Sequence, residues 1–234
     1  MNYLHQFAFQ IYPYIALAVF FIGSWARFDY AMYTWRTGSS QLLSSRGMRL
    51  GSNLFHIGIL AILAGHVVGL LTPHAVYERV ISVPHKQLLA MWAGGIAGVL
   101  CFAGLAILLW RRLFNARVRA TGSFGDLMVL VLLLAQLLLG MVSIRVSAGH
   151  LDGSVMIVLS EWAQHIVTFR AGAANFIYGV HWVYQAHLVL GMTLFLLAPF
   201  TRLVHVWSIP VSYLWRPYQV VRKRQATLDY GRRA

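Results

Sequence analysis

Five apolar runs, each close to twenty residues long, constrain this chain more than any other feature. They lie near residues 4–27, 50–71, 88–110, 126–144 and 181–201. A hydrocarbon core of about 30 Å takes roughly 20 helical residues to cross. Backbone in lipid must satisfy its own hydrogen bonds, so each run is predicted to be a helix. The composition agrees: 59% of the 234 residues are hydrophobic and only 11% are charged, against about 25% charged in an average soluble domain. The predicted fold is all-α, a single polytopic membrane domain over 1–234 built as a bundle of five transmembrane helices. The first run contains Tyr12, Pro13 and Tyr14, has no basic leader and shows no small-residue cleavage site before Arg27. It reads as a retained helix, not a removable signal peptide.

A net charge of +13 raises the question of nucleic acid, and the distribution of the charge answers it. Fifteen of the 19 Lys and Arg fall within 27–49, 111–119 and 202–233, whereas the other two connections hold Arg79, Lys86, Arg145 and Arg170. This alternation follows the positive-inside rule for one orientation, with the N-terminus outside and the C-terminus cytoplasmic. The expected location is the cell inner (cytoplasmic) membrane, crossed several times, with no nucleic-acid partner. The basic segment 202–234 also carries Trp207, Tyr213, Leu214, Trp215 and Tyr218. Aromatic side chains beside Arg suit a docking surface, with an interfacial aromatic belt as the other reading. Between the fourth and fifth runs, LDGSVMIVLSEWAQHIVTF reads as a short amphipathic helix at the outer surface. The single cysteine, Cys101, lies in an apolar run and reads as a buried structural thiol.

The stretch FHIGILAILAGHVVG, residues 55–69, carries two imidazoles at bilayer depth, where ionisable groups need partners. Ten histidines are present. His5, His74, His85, His150 and His165 fall at ends or in outer connections, and His181 opens the fifth run. His56 and His66 on the second run and His187 and His205 on the fifth remain. Antiparallel helices pair His66 with His187 and His56 with His205. At 1.5 Å per residue the spacings are about 15 Å and about 27 Å, a mismatch that tilt or a kink at Pro199 must absorb. Eighteen residues make five full turns, so His187 and His205 share a face if the helix is continuous, while His56 and His66 differ by about 80°. Gly58, Gly65, Gly69 and Gly191 leave room beside these positions, although glycines also serve bare helix packing. Zinc normally takes four protein ligands, whereas haem iron takes two axial ones. Two b-type haems, held without a covalent attachment motif, are therefore expected, and full axial ligation points to electron transfer. Arg27, Arg36, Arg111, Arg112 and Arg202 lie on the inner side, where they can meet haem propionates or act only as topology signals.

Beyond these residues, four long segments are similar to one family. IYPYIALAVFFIGSWARFDY, SNLFHIGILAILAGH, RRLFNARVRAT and HLVLGMTLFLLAPFTRLVHVWSIPVSYLWRPYQ resemble the gamma subunit of membrane-bound respiratory nitrate reductase, a di-haem cytochrome b. The resemblance implies axial ligation of the outer haem by His66 and His187 and of the inner haem by His56 and His205, the pairing that topology also predicts. It implies quinol oxidation beside the outer haem and electron delivery to an iron-sulfur beta subunit, then to a molybdenum-containing alpha subunit that reduces nitrate. Lys86 matches the position of a quinol-binding lysine. Read from its surroundings alone, it is an interfacial lysine that snorkels. Lys86 and His66 are the candidate catalytic residues, Gly65 and Gly69 further substrate contacts, and Arg112 and Arg36 candidate haem contacts. The quinol, menaquinol or ubiquinol, stays open. Phe28 stands where the family pattern leads us to expect tyrosine, and QATLDYGRRA reads as an extension. Two other classes remain: the cytochrome b subunit of another quinone-linked enzyme, such as a formate dehydrogenase or hydrogenase, and a non-redox transporter whose histidines relay protons.

Overall fold

The computed structural model describes residues 2–35, 40, 44, 46–149, 151–208 and 215. Each of the five apolar runs forms a helix long enough to cross a membrane. They are α1 (Tyr3–Tyr30), α2 (Met48–Leu71), α3 (Val83–Phe114) and α4 (Phe124–Ser147), and, after α5 (Ser154–Val167), α6 (Trp182–Leu197). The long α3 has Pro84 in its first turn, where the missing N–H costs nothing, and the N-cap Ser82 lies just before it. Its 32 residues rise about 48 Å, so its ends project beyond a hydrocarbon core of about 30 Å. A capping box between Ser123 and Asp126 starts α4.

The bundle has two halves. One is α2 against α3, with α5 across one end of α2; the other is α6 against α1 and α4. Contact between α3 and α4 joins them. Backbone approach, not side-chain interdigitation, holds α2 on α3. A Cβ at Gly104 would stand 2.2 Å from the Phe55 nitrogen, and one at Gly58 would stand 2.5 Å from the Cys101 nitrogen. Only glycine permits that separation. Cys101 is buried in this seam, as a structural thiol should be. The seam uses one narrow stripe of α2, of which only Gly51 and Gly58 are buried, so most of the helix is exposed to its surroundings.

The connection from 151 to 181 does form the expected amphipathic helix, but α5 does more than lie on a surface. Trp162, Ala163 and Ile166 pack with Phe9 of α1 and with Ala173, Ala174 and Ile177 of a short helix, Ala173–Ile177. Its polar residues cap α2: Ser160 donates to the Gly69 carbonyl at 3.3 Å and Gln164 to the Leu70 carbonyl at 3.0 Å. These are carbonyls that the last turn of a helix leaves without intrahelical partners.

One expectation fails. The fifth run is helical over Trp182–Phe200, but that helix does not continue to His205. The α-helix ends at Leu197, a 3₁₀ turn covers Ala198–Phe200, Thr201 is extended, and a second 3₁₀ turn covers Arg202–Trp207. Proline at 199 cannot donate to the helical ladder, and the backbone leaves helical geometry at Thr201, two residues on. Arg27 of α1 receives the carbonyls released there, donating to Pro199 at 2.6 Å and Thr201 at 2.9 Å. The five-turn arithmetic for His187 and His205, and the spacing of about 27 Å drawn from it, assumed one α-helix and therefore do not apply.

Candidate functional site

The histidines of α2 face those of the fifth run across the two halves of the bundle. The ring centroids of His66 and His187 are 6.0 Å apart, and those of His56 and His205 are 6.2 Å apart. Within α2 the ten-residue spacing separates the two pairs by about 15 Å along the axis. His205 reaches its partner from the 3₁₀ turn beyond the helix break, not from α6 itself. Three of the four rings are oriented by a backbone carbonyl: Nδ1 of His56 on Ser52 at 2.7 Å, of His66 on Ile62 at 2.8 Å, and of His205 on Arg202 at 2.6 Å. A bond at Nδ1 places the proton there and leaves Nε2 as the lone-pair nitrogen.

These pairs fit an axially ligated haem iron. Two imidazoles bound through nitrogens about 2.0 Å from one metal have centroids roughly 6 Å apart, close to both observed values. A metal wanting a third or fourth protein ligand fits poorly, because no group of three His, Cys, Asp or Glu that could hold a metal ion occurs among the described residues. Beside His66, added Cβ atoms at Gly65 and Gly69 would meet nothing within 4 Å. Gly58, grouped with them from the sequence, is instead consumed by the α2–α3 seam.

Lys86 lies near the α5 end of α2, almost fully buried. Its ammonium donates to the Gly69 carbonyl at 3.1 Å and sits 3.4 Å from the centre of the Tyr77 ring. An amine in such a place is held by a carbonyl dipole and a cation–π contact, so it does not snorkel freely. Burial, followed by Glu78 and Glu161, raises the Tyr77 pKa above its ordinary value, so the ring beneath the ammonium stays neutral.

The arginines expected on the inner side separate into distinct roles. Arg111 is buried and donates to the carbonyls of Arg46 and Ser44, tying the chain before α2 to α3. Arg27 receives the Pro199 break. Arg112 is paired with Asp126, and Arg202 lies 3.6 Å from the same carboxylate. Asp126 stands beside these two cations at the start of α4, where its capping box with Ser123 holds it. Arg36 lies outside the described residues. Also missed were Gln136 and Gly140, both on α4 against His187. Gln136 Nε2 donates to the His187 carbonyl at 3.1 Å, and a Cβ at Gly140 would stand 3.1 Å from the ring's Cε1. A lone amide in the apolar run FGDLMVLVLLLAQLLLG was the signal available.

Facing imidazole pairs on membrane-crossing helices define a class, the helical b-type cytochromes of electron-transport membranes. The family described as nitrate reductase gamma subunit matches residues 5–224. The chain is 57% identical to the respiratory nitrate reductase 1 gamma chain of Escherichia coli (strain K12) over 224 residues, covering 96% of this chain and 100% of that one. Identity to the respiratory nitrate reductase 2 gamma chain of the same organism is 56% over 225 residues, 96% of this chain and 100% of that one. For the nitrate reductase gamma chain of Bacillus subtilis (strain 168) it is 39% over 220 residues, 94% and 98% of the two chains. The chain belongs to this family, as the gamma, cytochrome b subunit of a respiratory nitrate reductase and a multi-pass protein of the inner membrane.

Proposed function

We propose that this subunit carries the quinol half of nitrate reduction. Quinol is oxidised at the Lys86 end, and two b haems held by His66 with His187 and by His56 with His205 supply one-electron carriers between that end and an iron-sulfur beta subunit. Nitrate chemistry belongs to a molybdenum-containing alpha subunit beyond it. The observation that carries this reading is the pair of imidazole couples at 6.0 and 6.2 Å, stacked along one helix. The positive-inside rule sets the Lys86 end outside and the C-terminus in the cytoplasm, so the quinol's protons leave on the side opposite to its electrons.

The chain's own residues have separable tasks. Backbone carbonyls at Ser52, Ile62 and Arg202 hold three rings with Nε2 available. Gly65 and Gly69 keep the α2 surface bare beside His66. Lys86 offers N–H donors to a quinol oxygen, oriented by the Gly69 carbonyl and the Tyr77 ring. Arg112 and Arg202, and Arg36 from the segment outside the described residues, supply cations for propionates on the inner side, with Asp126 balancing part of that charge. Oxidised and dithionite-reduced visible spectra of the purified protein test the reading. Two low-spin haems per chain are expected, and their absence would favour a proton-relaying transporter. In Lys86→Ala both haems should remain, while quinol-driven kcat/KM falls about tenfold or more, the effect of losing one hydrogen bond to a charged donor. Normal quinol kinetics would remove Lys86 from the substrate site, and loss of a haem would recast it as a propionate partner.

Segment 202–234 is proposed to dock on the iron-sulfur subunit, with a revised start. Trp207 donates to Ser24 Oγ at 3.0 Å and stacks on Phe20, and Trp35 donates to Ser208 Oγ at 2.7 Å. Residues up to Ser208 are thus committed to the bundle, and docking falls to the residues that follow. Of these, Trp215 is exposed, while Tyr213, Leu214 and Tyr218 lie outside the described residues. Truncation after Ser208 should keep both haems and release the soluble subunits from membranes; their continued sedimentation with the membrane would reject the assignment.

A further inference from the structure

His187 differs from the other three facing histidines in how its ring is held. A metal-binding imidazole almost always donates its second ring N–H to an acceptor, which fixes the ring and makes the ligating nitrogen more basic. The Nδ1 atoms of His56, His66 and His205 each have a backbone carbonyl within 2.8 Å. Nδ1 of His187 is buried with no hydrogen-bond partner among the described residues. A buried donor without an acceptor is costly, so something is expected to answer it.

The polar side chain against this ring is Gln136 of α4. Its Nε2 donates to the His187 carbonyl at 3.1 Å and lies 3.3 Å from the ring's Nε2, and its Oε1 is also buried without a partner. A buried donor and a buried acceptor therefore sit on two side chains already in contact. Glycines frame both groups: a Cβ at Gly191 would stand 3.1 Å from Gln136 Nε2, and one at Gly140 the same distance from His187 Cε1. The amide and the ring are thus seated where a larger residue on either helix would displace them.

We propose that Gln136 is the positioning residue for His187. With Nε2 of the ring committed to iron, the Gln136 amide gives up its 3.3 Å contact with that nitrogen, keeps its N–H on the His187 carbonyl and turns Oε1 to accept the Nδ1–H. One side chain then fixes the ring's orientation and its tautomer, the task that backbone carbonyls perform for the other three histidines. The inference rests on the haem reading above. An acceptor at Nδ1 donates electron density to the iron and favours its oxidised form, so Gln136 lowers the potential of the haem at His66 and His187 alone.

The test uses the full membrane complex, with haem content, low-spin electron paramagnetic resonance and redox titration of each haem. In Gln136→Leu the His66–His187 haem should become easier to reduce, its reduced-to-oxidised ratio at fixed poise rising about tenfold, or ~59 mV for one electron. Gln136→Glu, a stronger acceptor of similar size, should move the same haem the opposite way, and the His56–His205 haem should hold its value in both. Loss of the first haem in Gln136→Leu with retention in Gln136→Glu also supports the assignment. Unchanged potentials in both haem-loaded variants, or equal shifts of both haems, overturn it. A wild-type complex without haem would instead overturn the reading on which it rests.

Discussion

A chain carrying His66→Ala or His187→Ala is expected to bind one haem instead of two and to lose quinol-driven nitrate reduction entirely. The two rings stand 6.0 Å apart, close to the separation that a shared iron imposes. Among the described residues no third metal-binding side chain joins either pair, so none stands ready to replace a lost ligand. The His66 substitution is otherwise mild: His66 is exposed, so its loss should not unfold the bundle. Haem content by pyridine haemochrome, with reduction driven by an artificial donor at the soluble subunits, separates the two effects. Artificial-donor activity should persist while quinol activity vanishes. Two haems retained in His66→Ala would show that this histidine is not a ligand.

The second large effect is structural. Gly104→Leu should collapse the yield of haem-loaded protein, and Gly58→Leu should behave alike. A Cβ at Gly104 would sit 2.2 Å from the Phe55 nitrogen and 2.7 Å from the Gly51 carbonyl oxygen, contacts with backbone that no rotamer change relieves. Overpacking of this kind costs about 1–3 kcal/mol or more. The displacement falls on Phe55, the residue before His56, and so reaches the His56–His205 pair. Gly95→Ala on α3 is the control, because nothing lies within 4 Å of its added carbon. The temperature at which the haem spectrum is lost should drop sharply for the first two variants and stay unchanged for the third. Equal stability of all three would show that the α2–α3 seam is not closed by backbone contact.

Those glycines show where reading from sequence stops. Gly58, Gly65, Gly69 and Gly191 look alike in an apolar run, yet Gly58 carries a helix seam, Gly191 makes room for Gln136, and Gly65 and Gly69 face open space. Which neighbour a glycine meets depends on helix rotation and crossing, and no local pattern encodes either. The arginines behave similarly. Arg27, Arg111 and Arg112 share an expected inner-side location, but tertiary contacts assign the first to a helix break, the second to the chain before α2 and the third to Asp126.

By itself, the sequence determined the five membrane-crossing helices, the four histidines worth pairing and the family, because hydropathy over twenty residues and long ordered segments survive without knowledge of packing. Tertiary structure decided how those histidines meet. Pro199 could be read as a kink, but a proline alone does not say whether the chain resumes its helix beyond it. Arg27, 172 residues away in sequence, donates to the Pro199 carbonyl at that break. Beyond it, Arg202–Trp207 fold as a 3₁₀ turn, and the His205 ring stands 6.2 Å from that of His56.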